Sequence, residues 1–439
     1  MRKLSIFIWG IFFSFLMFGN SFAEQPGTIQ LNHAISSFQE YLIHAGLENI
    51  QVQLARHQTI WIRYENRRYR NEVTALGIVF AYASECFSFA EQFIIVPKYR
   101  NVPLKYIKVD RDIFQQFINN EITGTDFIEH LEICYQPVSE KPLIGYASPN
   151  AQSSLLKIDL ITSPGVKAQF ARPDDPAQLQ FNFLTDVSFT MAPGLQFDGQ
   201  WIIPLYNEFQ RKEDKHRVGQ LLLSQFMRFP SSTFFTLSAG LFNYGCVGIS
   251  TQFKRFFWHD RFSLSARLDY LKTNSLNELL QADLPFGNNL SYLFQAQYHF
   301  EQINFKTRLT WGQYLLGDRG WRIDIVRQFH ELELGFMGIW NQSLEFLTGM
   351  TLKVPFPVSR HPYPGKVRIR PPRFIPWNYR YLPCFDGLIL NVGDNFEDIA
   401  HQFSISFIRA NINQLKIATK YVKLEEPNRS ESFLAKRGQ

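Results

Sequence analysis

Hydrophobic residues follow two different rhythms along the chain, one before about residue 150 and the other after it. In the first part, apolar positions recur every three or four residues in some stretches, as in helices, and alternate in others, as in strands. Helices are expected near 31–45, 71–84 and 111–119, strands near 50–54, 59–64, 93–96 and 104–109, and a helix turn or a strand near 127–135. This order predicts a small sheet covered on one face by helices.

After about residue 155, apolar and polar residues alternate with a period of two over segments of about ten residues, which is typical of membrane-spanning strands. Phe262, Leu264, Ala266, Leu268 and Tyr270, for example, alternate with Ser263, Ser265, Arg267 and Asp269. Further strands are expected near 179–189, 194–204, 218–229, 233–243, 246–257, 290–300, 303–311, 320–329, 332–341, 345–354, 401–410 and 414–422. A bilayer leaves no water for unpaired backbone groups, so such strands can span it only as a closed sheet.

The sequence therefore predicts an α+β domain followed by an antiparallel transmembrane β-barrel of about 12–14 strands. The alternative is a soluble β-sandwich, whose strands also alternate but are typically only about five or six residues long. Phe accounts for 43 of the 439 residues, and aromatic residues for 16%. This enrichment favours the barrel, because membrane barrels carry aromatic girdles at both membrane interfaces.

Charged residues occupy the polar positions of several of these strands, and in a barrel those positions line the lumen. The candidate lumen-lining residues are Arg267, Asp269, Lys306, Arg308, Arg322, Asp324 and Glu333. Two roles are open for them. They could form a network of ion pairs that rigidifies the wall, or a polar path that contacts a polymer.

Residues 355–383 interrupt the alternation with closely spaced prolines, which exclude central strands. The basic residues interleaved with these prolines are Arg360, Lys366, Arg368, Arg370, Arg373 and Arg380. The segment is therefore interpreted as an insertion in the barrel. It is either a basic plug or loop that meets an anionic polymer, or a solvated and partly disordered loop.

The N-terminus has the order of a secretory signal peptide. Arg2 and Lys3 precede an apolar stretch over 4–18, and Ala23 ends a small-residue cleavage site. An uncleaved anchor is the alternative, but the apolar stretch is short for a membrane span. We expect a signal peptide at 1–23, a periplasmic α/β domain at 24–150, an outer-membrane barrel at 151–424 and a polar tail at 425–439.

The net charge and the cysteines limit the partners. The formal charge is +6, and +4 (6 − 2) without Arg2 and Lys3, which is too small to indicate nucleic acid. Cys86, Cys134, Cys246 and Cys384 lack the short spacing of a metal site. An exported protein can form disulfides. Cys86 and Cys134 are the pair that one domain would hold, and whether they are bridged is left open.

No catalytic motif stands out in the sequence. It has no Gly-x-Ser-x-Gly, His-Glu-x-x-His or P-loop pattern. We therefore expect a protein that is not an enzyme, with no catalytic residues, no cofactor and no metal. Two other functions stay open, a general solute porin or channel and an outer-membrane hydrolase with a Ser or Asp/His pair near the rim.

Several short segments are distinctive: 314–320 (YLLGDRG), 323–329 (IDIVRQF), 349–355 (GMTLKVP), 64–71 (YENRRYRN), 75–77 (ALG), 225–230 (QFMRFP) and Asp386-Gly387. These segments resemble the YjbH/GfcD-type family of exopolysaccharide outer-membrane proteins. Gly317, Asp318, Gly320 and Arg327 form the candidate signature turn and its following strand. The turn is either a tight hairpin, for which Gly and Asp supply the backbone freedom, or a loop that contacts polymer or a partner protein.

The resemblance implies an outer-membrane barrel that takes part in the export or assembly of an extracellular polysaccharide. The partners that it implies are outer-membrane lipid, the polysaccharide and periplasmic export proteins, which the N-terminal domain would dock.

Overall fold

A computed structural model describes residues 26–136, 148–170, 177–208, 214–258, 260–273, 290–315, 317–341, 346–362, 365–380 and 396–425. The helices of this part are α1 Pro26–His44, α2 Glu72–Cys86, α3 Arg111–Ile118, α4 Gly124–Glu129, α5 Phe396–Gln402, α6 Ile405–Ala410 and α7 Ile412–Glu425. None of them is both long and apolar enough to cross a membrane.

The N-terminal unit is built on a six-stranded sheet. Its strands are β1 Leu47–Leu54, β2 Thr59–Asn66, β3 Gln92–Tyr99, β4 Val102–Pro103, β5 Tyr106–Asp110 and β6 Glu132–Cys134. They lie in the order β1-β2-β3-β5-β6, with β4 beside β3, and β2 and β3 are parallel. The predicted helices and strands of this region are confirmed, and the ambiguous stretch near 127–135 holds both a helix turn and a strand.

Local signals explain where the helices of this unit begin. The Asn71 side chain accepts from Val73 N and caps α2. Thr123 and Asp126 form a capping box at the start of α4. Apolar faces of the helices then pack over the sheet, around Phe38 and Phe80, which are fully buried.

The second sheet has 14 strands. They are β7 Ile158–Phe170, β8 Ala177–Ala192, β9 Leu195–Asn207, β10 Arg217–Phe229, β11 Thr233–Phe242, β12 Cys246–Phe257, β13 Phe262–Thr273, β14 Leu290–Phe300, β15 Phe305–Gln313, β16 Arg319–Phe329, β17 Leu332–Asn341, β18 Leu347–Pro355, β19 Val367–Arg370 and β20 Phe374–Arg380. Their order is β19, then β7 to β18 in sequence, then β20, and only β19 and β7 pair in parallel.

This large sheet curls around α5. Glu397 on α5 pairs with Lys254 on β12, Asp398 pairs with Lys353 on β18, and His401 bonds to Gln328 on β16. Strands far apart in the ladder thus meet one short helix. The two ends of the sheet also approach each other, because Cα atoms of β20 lie within 8 Å of β7.

The two faces of the curled sheet differ in polarity. We call the face toward α5 the inner face and the opposite one the outer face. On β12, Val247, Ile249 and Phe253 are exposed on the outer face, whereas Ser250 and Lys254 are buried on the inner face. Exposed aromatic side chains recur on the outer face of many strands: Phe181, Phe183, Trp201, Tyr206, Phe229, Tyr270, Phe294, Tyr298, Phe300, Trp311, Trp321, Phe329, Phe336 and Trp340.

The N-terminal unit sits at the end of the large sheet where the connections 193–194, 230–232 and 330–331 are short. Gly194 N donates to Arg100 O at 2.7 Å, and Arg228 donates to Pro103 O at 3.2 Å. Phe226 and Phe234 extend the core of the N-terminal unit into the sheet, since both belong to one buried apolar cluster with Phe38.

The predicted strands near 401–410 and 414–422 are wrong, because these residues form α5, α6 and α7. Ser404 accepts from Phe407 N and so starts α6. Glycine at position 77 of α2 allows α7 to pack closely against it, because a Cβ at this position would lie only 2.8 Å from Ala418 Cβ. A strand would leave the contact between α2 and α7 unmade.

The segment 355–383 does contain strands, contrary to its interpretation as an insertion without them. β19 and β20 lie in it, at the two ends of the sheet order. The expectation that prolines exclude central strands therefore holds, but edge strands tolerate them. The segment's first residues form a connection in which Arg70 N donates to Ser359 O.

Several predictions fall outside the described residues. These are the signal peptide at 1–23, Cys384, Asp386-Gly387 and the tail after 425. Within the described part, Cys86 and Cys134 are free thiols, so no disulfide joins them.

Candidate functional site

A polar cavity of about 310 Å³ lies between the inner face of the large sheet, the N-terminal unit and α5. Its charged and imidazole-bearing lining residues are Lys105, Lys254, Asp260, His299, Lys306, Arg308, Arg322, Asp324, Glu333, Lys353, Glu397, Asp398 and His401. The inner strand positions supply most of them, because alternate residues of a strand point to one face.

Most of these charges are paired across different elements. Lys105 of the N-terminal unit pairs with Asp260 beyond β12, and Lys353 Nζ lies 2.7 Å from Asp398 Oδ2. Lys254 Nζ lies 2.5 Å from Glu397 Oε2. The helix α5 thus brings two carboxylates to lysines that the sheet buries, and this fixes its position in the cavity.

The sequence-predicted polar residues form pairs on the inner face. Arg267 Nε lies 2.9 Å from Asp269 Oδ1, and Arg322 Nη2 lies 2.7 Å from Asp324 Oδ1. Lys306 Nζ and Glu333 Oε1 are farther apart, at 3.8 Å. Both residues of the Arg322 pair and both of the Lys306 pair line the cavity, whereas the Arg267 pair is not among its lining residues.

Arg308 differs from the other predicted residues in its partner. Its Nε and Nη2 both lie 3.3 Å from Gln297 Oε1, which is a neutral amide oxygen. A guanidinium presents several donors in a planar fork that suits carboxylates and phosphates. Arg308 thus bonds to a neutral group, while its charge acts on Glu397 and Asp398 of α5, whose pKa values it lowers.

The signature turn is a tight hairpin, and the residues of its flanking strands lie on both faces of the large sheet. Tyr314 N donates to Asp318 O at 2.7 Å, and Gly317 has a φ of 89°, in the left-handed region that favours glycine. Gly320 pairs with Gly312 across the β15–β16 ladder. Arg327 is exposed on the outer face, with its guanidinium 5.0 Å from the Phe329 ring centroid, so it lies away from the cavity.

A second group of buried charges joins the N-terminal unit to the large sheet. Asp159 at the start of β7 is 1% exposed. Its carboxylate lies 2.6 Å from Arg368 Nε, 3.3 Å from Arg370 Nη2 and 3.3 Å from Arg67 Nη1. Glu48 of β1, fully buried, lies 2.7 Å from Arg368 Nη1. We call Asp159, Glu48, Arg67, Arg368 and Arg370 the arginine junction.

The arginine junction accounts for much of the basic character of 355–383. Arg373 completes it by pairing with Glu72 of α2 at 2.9 Å. Two arginines of β19 and the one after it thus meet carboxylates of the same chain. The sequence could not reveal this role, because Arg368 and Glu48 are 320 residues apart.

His401 and Ser404 form a hydrogen-bonded chain of the kind that hydrolases use. His401 Nδ1 lies 3.3 Å from Ser404 Oγ, and Nε2 lies 2.5 Å from Gln328 Oε1. Ser404 Oγ, however, also accepts from Phe407 N and caps α6. Burial, together with Lys306, lowers the pKa of His401 well below its usual value. This chain serves to hold α5 and α6 in place, which a hydroxyl committed to a helix cap can do.

No group of three or more His, Cys, Asp or Glu side chains with metal-binding geometry is present in the described ranges.

The carboxylates of α5 are held ionised by the lysines of the sheet. Burial alone would raise the pKa of Glu397, but Lys254 and Arg308 lower it. Burial alone would likewise raise the pKa of Asp398, but Lys353 and Lys306 lower it. The Asp398 side chain is 47% exposed, although this exposure is to the cavity.

Replacing Asp159 by Asn should destabilise the fold by about 3–5 kcal/mol, because it removes a buried carboxylate that faces three arginines and leaves excess positive charge in the junction. Urea unfolding in detergent, followed by tryptophan fluorescence, measures the change. Asp112→Asn is the matched control, since the Asp112 side chain is 83% exposed beside Arg111. A surface pair is worth about 0–1 kcal/mol. Equal effects of the two substitutions would contradict the arginine junction.

Acidification should release α5 from the inner face. The folded pKa values of Glu397 and Asp398 lie below 4.5 and 3.8. Their stabilising contribution is therefore complete above about pH 4.5 and is lost as the pH falls through the folded values. Hydrogen exchange of 396–410, corrected for intrinsic rates, should rise over that range. In Glu397→Gln/Asp398→Asn it should be fast at neutral pH already, and a wild-type acid response in this variant argues against the pairing.

Comparison with known proteins agrees with the resemblance seen in the sequence. The family model YjbH, described as exopolysaccharide biosynthesis protein YbjH, matches residues 22–218 and 211–337, which is more than half of the chain. No curated protein matches the chain. The charged inner face, the signature turn and the strands around it all fall within the matched residues, apart from the segments after 337. The chain belongs to the YjbH family of exopolysaccharide biosynthesis proteins.

Proposed function

We propose that the protein is an outer-membrane β-barrel that takes part, without catalysing a reaction, in the export or assembly of an extracellular polysaccharide. Its N-terminal unit would lie in the periplasm and dock export proteins there. The family supplies the link to exopolysaccharide biosynthesis, and the surface chemistry of the large sheet supports the membrane location.

The observation that carries the membrane location is the apolar outer face. Soluble monomers rarely expose an apolar patch larger than a few hundred Å². Here Phe294 on β14 is 52% exposed, Trp321 on β16 48% and Phe336 on β17 57%. A lipid environment covers such a face, while the charges stay inside. Short turns on the side of the N-terminal unit match the periplasmic turns of outer-membrane barrels, whose outer loops are longer.

The position of the N-terminal unit argues against a general porin. Phe396 of α5 lies 5.0 Å from Phe226 and 5.1 Å from Phe234, ring centroid to centroid. Tyr99 and Tyr135 of the N-terminal unit pack on the same two rings. An apolar layer therefore covers the short-turn end of the cavity. Small solutes would have no wide aqueous path along the axis there, so a steady open conductance in planar bilayers is not expected.

Deleting the gene should reduce cell-surface polysaccharide, and the intact gene on a plasmid should restore it. The assay is a quantitative sugar analysis of washed cells and of culture medium. The protein itself should fractionate with outer membranes and migrate differently on gels before and after heating. Unchanged polysaccharide in the deletion strain, or protein found free in the periplasm, would overturn the proposal.

An arginine introduced on the outer face should impair assembly more than an arginine introduced on the inner face. Phe294→Arg places a guanidinium toward lipid, which costs about 2–4 kcal/mol near the midplane of the bilayer. Gln295→Arg, one residue along β14, places it on the polar inner face and is the matched control. Heat-modifiable protein in outer membranes measures assembly, and we expect a loss for Phe294→Arg alone. Equal losses would contradict a lipid-facing outer surface.

A further inference from the structure

One junction of the large sheet is not closed by backbone pairing. β7 pairs with β19 only from Ile158 to Ile161, and beyond that its edge has no partner among the described residues. β20 pairs with β18 along its whole length, and no pair joins it to β7 in the described ranges. Cα atoms of the two strands nevertheless come within 8 Å of one another, so β7 and β20 lie side by side. We call this junction the β7–β20 seam.

Prolines explain why the seam does not pair. Pro371 and Pro372 separate β19 from β20, Pro376 lies within β20, and Pro164 lies within β7. Proline has no N–H to donate to a ladder and is confined to edges. Both sides of the seam thus carry residues that oppose a continuous ladder, so the separation is encoded in the sequence.

The seam is the weakest line in the wall. β12 and β13, for comparison, pair without interruption from Cys246 with Thr273 to Phe257 with Phe262. Parting such strands breaks every ladder bond, and each unsatisfied backbone group costs several kcal/mol in lipid. Parting β7 from β20 requires no ladder bond to break beyond β19.

The two sides of β20 meet different environments. Pro376 and Asn378 line the polar cavity. Trp377 and Tyr379 alternate with them, and their rings stack at 6.2 Å. The short-turn end of the cavity is covered by the N-terminal unit, so the seam is a sideways route from the cavity to the surroundings of the outer face.

We propose that the β7–β20 seam is a lateral opening for an amphiphilic saccharide, whose sugar chain lies in the polar cavity while its lipid end lies in the bilayer. This inference rests on the proposed function. A purely polar chain gains nothing from a slit that faces lipid, and a purely apolar one gains nothing from a charged cavity. A molecule with one part of each kind is stabilised on both sides of the seam.

A reversible cross-link across the seam tests the proposal. Continuing the parallel register of β19 and β7 sets Val166 beside Ile375, both on the outer face, as their neighbours Phe181 and Val354 are. Val166→Cys/Ile375→Cys is made in a chain whose four native cysteines are Ala and which has been checked for normal polysaccharide. Oxidation in cells should lower surface polysaccharide to the level of the deletion strain, and a reductant should restore it.

Val354→Cys/Ile375→Cys is the matched control, because it ties β20 to β18, with which it already pairs. Its oxidation should leave polysaccharide unchanged. Mass spectrometry of the purified protein measures disulfide formation in both variants. A seam that is joined while polysaccharide stays normal, or a pair that never forms a disulfide, overturns the lateral opening alone. A deletion strain with unchanged polysaccharide overturns the proposed function and the lateral opening with it.

Discussion

Backbone pairing from β7 through β18 to β20 is the interaction on which the rest of the structure depends. It fixes which residues of each strand point to α5 and which point outward, and a slip of one residue would exchange the two sets. The pairing of Ser250 with Asp269 across β12 and β13, for instance, keeps both polar side chains on the inner face. The outer aromatic surface and the inner charges are two consequences of one register.

The inner charges mainly hold the N-terminal unit, the large sheet and α5 in one arrangement. A buried ion pair adds little net stability compared with an apolar pair of the same shape, but breaking one is costly. Here the partners come from the N-terminal unit, from the sheet and from α5, so each pair selects one arrangement of these parts. Arg308, which bonds to an amide, is an exception within the cavity. Its charge acts on Glu397 and Asp398 of α5 and lowers their pKa values.

The sequence predicts the strands well and the tertiary partners poorly. Alternation locates eleven strands of the large sheet from β8 to β18 because one face is apolar throughout. β7 has no such signal, since Pro164 and Gly165 interrupt it. Phe403, Ile405 and Phe407 alternate like a strand, but the Ser404 cap and the contact of α7 with Gly77 favour helices. The contact at Gly77 comes from α2, more than 300 residues earlier than α7, so local patterns cannot encode it.

The family resemblance supports the proposed function more strongly than the inner charges do. The segments around the signature turn lie within the residues that match the family, although Arg327 faces outward rather than toward the cavity. The predicted polar residues were grouped by strand period alone, so the sequence could not separate the Arg322 and Lys306 pairs of the cavity from the Arg267 pair outside it. Which inner residues face a cavity depends on α5, and α5 was predicted as strand in part.

The proline- and arginine-rich segment 355–383 explains why β7 pairs with β19 at its start but has no further partner on that edge among the described residues. Arg368 and Arg370 bind Asp159, which anchors β19 to the first residues of β7. The prolines that follow release the chain from β7 before β20 begins. The seam is therefore anchored at the short-turn end, beside the N-terminal unit, where Asp159 holds the arginines of β19. The proposed lateral opening would part β7 and β20 beyond this anchor, where no ladder joins the two strands among the described residues, while the arginine junction stays paired.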